Sequence, residues 1–296
     1  MTNVAEPWTV RRLLEWTSGF FTRKEVDSPR LSAELLLSHV LSVPRIKLYT
    51  DYENVVEEKP LATFRDLVKR AGEHEPIAYL TGRAYFFNLE FEVEPGVLIP
   101  RPDTETLVEN VLQLSRNTAG FEAPRVIDLC TGSGCIAAAI ASRLKSAVVL
   151  ASDVSEKAVE VARRNVSRLG LSDRVTVERG DLFEPLKSMV DAQPMDLVVA
   201  NPPYIPSEKL KELDRNVREY EPVGALDGGE DGLTIHRRII EEGAERLRSG
   251  GRMYLEIQFD QGVLATGIME RHGAYEDVRV LKDYGGNQRV VTGKRK

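Results

Sequence analysis

Val126-Ile127-Asp128-Leu129-Cys130-Thr131-Gly132-Ser133-Gly134-Cys135-Ile136-Ala137 is the stretch on which the fold turns. Its first residues read as a buried strand. Gly132 and Gly134 then allow a tight turn and let a ligand approach the backbone where a helix begins. Gly132, Gly134 and Ala137 also satisfy the pattern G-x-G-x-x-A, and Asp153 lies about the right distance on to bind ribose hydroxyls, so the spacing admits a nicotinamide as well as another adenosine cofactor. Asp153 has a second reading as a helix cap, since Ser155 follows. Cys130, Thr131 and Ser133 complete the expected cofactor loop.

Working outward, β-branched runs alternate with helical segments: Val126 to Leu129, Val148 to Ser152, Val175 to Glu178, Leu197 to Ala200 and Met253 to Ile257. That order specifies an α/β fold, a parallel sheet with helices on both faces. Val278 to Leu281 and Arg289 to Thr292 are joined by a connection too short for a helical crossover, so the last strand should pair antiparallel. Upstream, residues 8–74 carry apolar positions at three- and four-residue spacing, as in Leu31, Leu35, Leu36 and Val40, which predicts a small bundle of four or five helices. Val10, Leu13, Leu14, Trp16 and Phe20 mark an early helix. Ser28-Pro29 reads as a helix start with Ser28 as its cap. Between them, Tyr79 to Ile99 alternates like a hairpin, with Phe87, Leu89, Phe91 and Val93 on one face. Asp103 or Thr104 should cap the helix that follows. The expected division is a helical domain over 1–75, a hairpin linker over 76–100 and a sheet domain over 101–296.

The chain of 296 residues has 42% apolar content and carries 40 Lys and Arg against 46 Asp and Glu, net −6. This balance opposes a broad phosphate-binding footprint, so direct nucleic-acid binding is not expected. No run reaches the roughly 20 apolar residues of a membrane span, and Met1 to Pro7 lacks a leader pattern, which makes the cytoplasm the expected compartment. Two cysteines, Cys130 and Cys135, are too few for a metal site and read as packing residues.

Asn201-Pro202-Pro203-Tyr204 follows the fourth strand. Read blandly it is a turn. Read as a site, the Asn201 side-chain oxygen and a backbone carbonyl can accept both hydrogens of a planar amino group while Tyr204 packs over its face, leaving the nitrogen lone pair aimed at a methyl donor. Asp181-Leu182, after the third strand, sits where an adenine would lie; Asp181 could accept from its amine or be a turn residue. Ligands of open parallel sheets gather beyond the strand ends at the switch point, so Gly132, Asp153, Asp181 and Asn201 should share one crevice. Ile205 to Gly232 is too long for an ordinary connection and reads as a substrate-facing loop.

Asp128-x-x-x-Gly132-Ser133-Gly134 followed by Asn201-Pro202-Pro203-Tyr204 resembles S-adenosylmethionine-dependent amino-methyltransferases with a Rossmann-like sheet. Together with Arg30 to Leu36, Tyr79-Leu80-Thr81-Gly82, Ile99-Pro100-Arg101-Pro102-Asp103-Thr104-Glu105, Glu221-Pro222 and Asp283-Tyr284-Gly285-Gly286-Asn287-Gln288-Arg289-Val290, the chain is more closely similar to the PrmC/HemK family, glutamine methyltransferases of peptide chain release factors. The resemblance implies a class I methyltransferase domain, S-adenosyl-L-methionine held by Cys130, Thr131, Gly132, Ser133, Gly134, Asp153, Asp181, Leu182 and Asn201, catalysis by Asn201, Pro202 and Tyr204, and substrate contacts from these with Pro203 and Arg101. The implied partner is a release factor offering the glutamine of its Gly-Gly-Gln loop to a monomeric enzyme. Cys130 stands where these enzymes carry glycine, as in sister enzymes that modify a ribosomal protein, whereas Arg101 to Glu105 favours the release-factor branch. An enzyme methylating nucleic-acid amino groups, a nicotinamide oxidoreductase and a non-catalytic binding module are the alternatives.

Overall fold

The computed structural model describes residues 7–191 and 193–296; Met1 to Glu6, read above for their lack of a leader pattern, lie outside the described residues. The chain divides into two compact units, one of the described residues up to Gly82 with Asp214–Tyr220, the other of Arg83–Leu213 with Glu221–Lys296.

The first unit holds five helices from the N-terminal segment, α1 Val10–Arg23, α2 Pro29–Leu41, α3 Arg45–Thr50, α4 Glu58–Gly72 and α5 Ile77–Thr81. Val10, Leu13, Leu14, Thr17 and Phe21 form the buried stripe of α1, spaced by three and four residues. They pack with Leu36, Leu37 and Phe64. Ser28 does not cap α2 through its hydroxyl: it adopts a left-handed φ of 45° with Pro29 at the first helical position, which carries the start instead. Glu34 is buried on α2 and held by Arg30 at 2.8 Å and Arg45 at 2.6 Å, which gives the Arg30 to Leu36 motif a structural job.

The second unit opens with a hairpin, β1 Arg83–Phe86 and β2 Leu89–Glu92. Phe87 is in the turn rather than on a strand face, because Phe87 and Asn88 both take positive φ, 52° and 60°. The Phe87 N–H donates to Glu105 at 2.7 Å and its ring lies under Arg143, contacts that offset the cost of that backbone. The hairpin thus belongs with the sheet unit, and the helical unit continues to Gly82, seven residues beyond the expected boundary.

After it in the chain come α6 Glu105–Asn117, β3 Arg125–Leu129, α7 Cys135–Arg143, β4 Val148–Asp153, α8 Glu156–Arg168, β5 Val175–Arg179, α9 Lys187–Asp191, β6 Met195–Ala200, α10 Arg215–Tyr220, which belongs to the first unit, α11 Thr234–Arg246, β7 Leu247–Glu256, α12 Gly262–His272, β8 Tyr275–Lys282 and β9 Gln288–Arg295. The sheet order is β5-β4-β3-β6-β7-β9-β8. Five strands are parallel; β9 runs antiparallel between β7 and β8. Alternate residues feed two cores: Val126, Leu197 and Val199 pack beneath α6 and α7, and Ile127, Leu129 and Val198 beneath α11 and α12. No helix among the described residues is long and apolar enough to cross a membrane.

Candidate active site

Strand order reverses between β3 and β6, and the carboxyl ends of strands flanking such a point form a crevice. Here it has a volume of about 340 Å³ and is lined by Arg101, Thr104, Cys130, Thr131, Gly132, Ser133, Asp153, Asp181, Leu182, Asn201 and Pro203, among others. Of the residues expected to form the site, Gly134, Pro202 and Tyr204 are not in its wall. Gly134 instead starts α7 at φ 80°, where a Cβ would come within 3.2 Å of the Ala162 Cβ. Gly132, at φ 57°, has open space where its Cβ would be, which leaves the backbone accessible.

The loop is pinned from below. Asp128, fully buried in β3, accepts from the Thr131 hydroxyl at 2.6 Å and the Ala137 N–H at 3.1 Å through one oxygen. Its other oxygen, and the buried Ser133 hydroxyl, have no hydrogen-bond partner among the described residues. Burial raises the Asp128 pKa to about 7. Asp153 bonds the Gly132 N–H and the Ser155 N–H, each at 2.9 Å, so it spans the loop and the approach to α8 at once, and burial raises its pKa. Asp181 is gripped through both oxygens by Arg238 of α11, at 3.1 and 2.8 Å. Cys135 is buried and its thiol is pushed up to about 12; burial raises Cys130 too, so both are poor thiolates. Among the described residues no cluster of metal-ligating side chains occurs.

At the tip of β6 the Asn201 amide nitrogen donates to the Thr104 hydroxyl at 3.2 Å. Thr104 is buried at the start of α6, yet makes no side-chain cap there; neither does Asp103, which pairs with Arg289 at 2.9 Å. The threonine hydroxyl is committed elsewhere, accepting from the Asn201 amide. Glu256 is fully buried at the end of β7, and the Tyr204 hydroxyl donates to it at 3.3 Å. Burial raises Glu256 to about 7, against the pull of Thr104, Arg289 and Tyr204. Burial likewise raises Tyr204, keeping the phenol neutral. The Tyr204 carbonyl accepts from the Gln261 side chain at 2.8 Å. Arg101 lines the crevice but is paired with buried Glu221, which also accepts the Ile99 N–H at 3.2 Å.

Sequence reasoning passed over Asp128 as a loop anchor and Glu256 as a site residue, and met Thr104 only as a helix cap in a loop that could contact a ligand and Glu221 only as part of a motif. A signal existed for two: Asp128 and Glu256 are lone acids inside apolar strand runs, where an unpaired charge is costly. Ile205 to Gly232 is structured: the Ile205 N–H donates to the Leu226 carbonyl, the Ile205 carbonyl accepts from the Gly228 N–H, and Asp231 is paired to Arg237.

Residues 12–82 match the family described as PrmC N-terminal domain, and residues 102–216 the methyltransferase small domain. A release factor glutamine methyltransferase of Rhodopirellula baltica is 42% identical over 97% of this chain and 96% of its own length. One from Geobacter sulfurreducens is 42% identical over 99% of both. Among solved structures, the human Mettl16 catalytic domain in complex with the MAT2A 3′UTR hairpin 6 is similar in fold, with a TM-score of 0.54 and 19% identity over 82% of this chain and 85% of that one.

Proposed function

This chain belongs to the family of release factor glutamine methyltransferases, and on that premise we propose that it methylates the side-chain amide nitrogen of the Gly-Gly-Gln glutamine in a peptide chain release factor. The observation that carries the reading is the tethered Asn201 amide: with its nitrogen on Thr104, its oxygen is left to accept hydrogen bonds at the mouth of the glycine-loop crevice.

The crevice fits S-adenosyl-L-methionine. Its wall carries Asp153, an acceptor placed for ribose hydroxyls, and the open backbone at Gly132 admits a nucleoside. When bound, the cofactor supplies an electrophilic methyl on sulfur. The loop from Cys130 to Gly134 and Leu182 would wall it, Asp153 would hold the ribose and Asp181 would meet the adenine edge. A glutamine amide nitrogen is a poor nucleophile because its lone pair is delocalised into the carbonyl. Asn201 Oδ1 and the Pro202 carbonyl accept its two N–H groups more strongly as positive charge grows, worth a few kcal/mol in total. Pro203 in the wall, with Tyr204 beside it in the same turn, would bound the slot and hold the amide plane, which supplies positioning. The proton becomes acidic only after transfer, so no dedicated base is needed. The N-terminal helices and the 205–232 segment would recognise the protein substrate.

Incubation of a release factor with enzyme and cofactor, read by mass spectrometry, should show one added methyl on that glutamine. Asn201→Ala should lower kcat at least about a hundredfold while leaving cofactor affinity within a few-fold. Methyl found on nucleic acid instead, or equal loss of turnover and binding in the variant, would reject the assignment.

A further inference from the structure

We propose that Arg238 is a positioning residue that locks the Asp181 carboxylate, so that the crevice distinguishes an adenine from a purine lacking its exocyclic amino group. The inference rests on the reading of Asp181 as the group that meets the adenine edge.

The backbone around Asp181 is held on both sides. Before it, the Gly180 N–H donates to the Asp153 carbonyl at 3.0 Å, tying the end of β5 to the end of β4. After it, buried Leu182 takes a left-handed φ of 47°, and its carbonyl accepts from the buried Ser152 hydroxyl at 2.7 Å. A branched side chain adopts that backbone only where its surroundings over-determine it, and such strain clusters where a functional group is being aimed. The group between the two anchors is the Asp181 side chain.

A fixed backbone does not by itself fix a carboxylate. Asp181 is half-exposed, and rotation about its side-chain bonds would turn the oxygens towards water. Arg238 removes that freedom: its Nη1 donates to Oδ1 at 3.1 Å and its Nη2 to Oδ2 at 2.8 Å. Such a two-pronged contact sets the plane of the carboxylate as well as its place, which a point charge cannot do. Glu242, one turn further along α11, steadies the same guanidinium at 3.6 Å. Each carboxylate oxygen has a second lone pair, so the acid stays an acceptor while it is held. Asp181 lines the crevice and Arg238 does not, so the guanidinium acts through the acid. Both partners are open to water, and a pair of this kind adds little to folding. Its effect lies in recognition: an acceptor ordered beforehand gives the ligand amine its full hydrogen bond, whereas a mobile one must first be immobilised.

The test is calorimetric binding of two ligands to the full-length protein: S-adenosylhomocysteine, and its analogue with hydrogen in place of the exocyclic amine. Wild type should favour the first by about tenfold or more. In Arg238→Ala that preference should shrink to about threefold or less, while affinity for the analogue stays within about twofold, because a purine without the amine does not sense the acid. Arg238→Lys, which keeps the charge without the fork, should resemble the alanine variant. An equal loss for both ligands would mean that the pair only holds the fold, and an undiminished preference in either Arg238 variant would mean that the acid needs no fork; each result overturns the proposal. Asp181→Ala should erase the preference. Loss there with none in Arg238→Ala rejects the role of Arg238 alone, whereas a preference that survives Asp181→Ala, or is missing in wild type, rejects the adenine reading of Asp181 and the inference with it. Binding is read without methyl transfer, so the outcome is separate from the identity of the methyl acceptor.

Discussion

Cys130 occupies a left-handed backbone conformation, φ 55°, at the first turn of the cofactor loop. A side chain there costs about 1 kcal/mol or somewhat more, which is why glycine is the natural occupant. Glycine at 130 would relieve that strain but lose thiol packing and gain unfolded-state entropy, terms of similar size. Cys130→Gly should therefore stay within about 0.5 kcal/mol of wild type in denaturant unfolding, whereas Cys130→Val, β-branched at positive φ, should lose roughly 2 kcal/mol. Equal stability of the valine variant would show that the loop relaxes freely. Glycines at 132 and 134 were legible because only the backbone matters there. The Asn201 tether was not, since Thr104 stands 97 positions away in the chain.

The segment 99–104 depends on one buried acid. Glu221 accepts from the Ile99 N–H and the Arg101 guanidinium, fixing the stretch that delivers Thr104 to the site. Arg101→Ala would leave that carboxylate buried without its cation, a loss of about 3 kcal/mol, and adding Glu221→Gln should restore part of it. Chemical denaturation of the single and double variants decides this; an unaffected single variant would mean the carboxylate reaches water. Strands were readable from their β-branched runs, and helices from their three- and four-residue spacing. Element ends were less so. Phe87 alternates perfectly in sequence but serves the turn, and Thr104 has the chemistry of a cap but spends it on Asn201, because tertiary partners outbid local ones in both places.

Across the whole molecule, buried ionisable groups set how stability varies with pH. Asp128 and Glu256, both raised by burial to about 7, keep protons that the unfolded chain releases above about 4. Their contribution, complete below the unfolded value, is lost as pH rises through about 7. His236 runs the other way: held by burial at about 4, it stays neutral while the unfolded chain takes a proton below about 6.5, so it adds stability as pH rises over that interval. Asp153 is raised by burial as well and adds to the two acids, so the carboxyls outnumber the one imidazole and stability falls over this interval. Urea unfolding of the ligand-free protein should show stability falling from pH 5 to 7 and levelling above; a rise over that range would mean that the two acids are ionised in the fold.

The sheet order carries one more consequence. β8 comes earlier in the chain than β9, yet joins the sheet only through it. While the polypeptide is being made, β7 therefore shows an unpaired margin of amide and carbonyl groups until residues 288–295 have emerged and swung back between two strands already synthesised. A nascent chain halted before that point leaves this margin open to foreign β-strands.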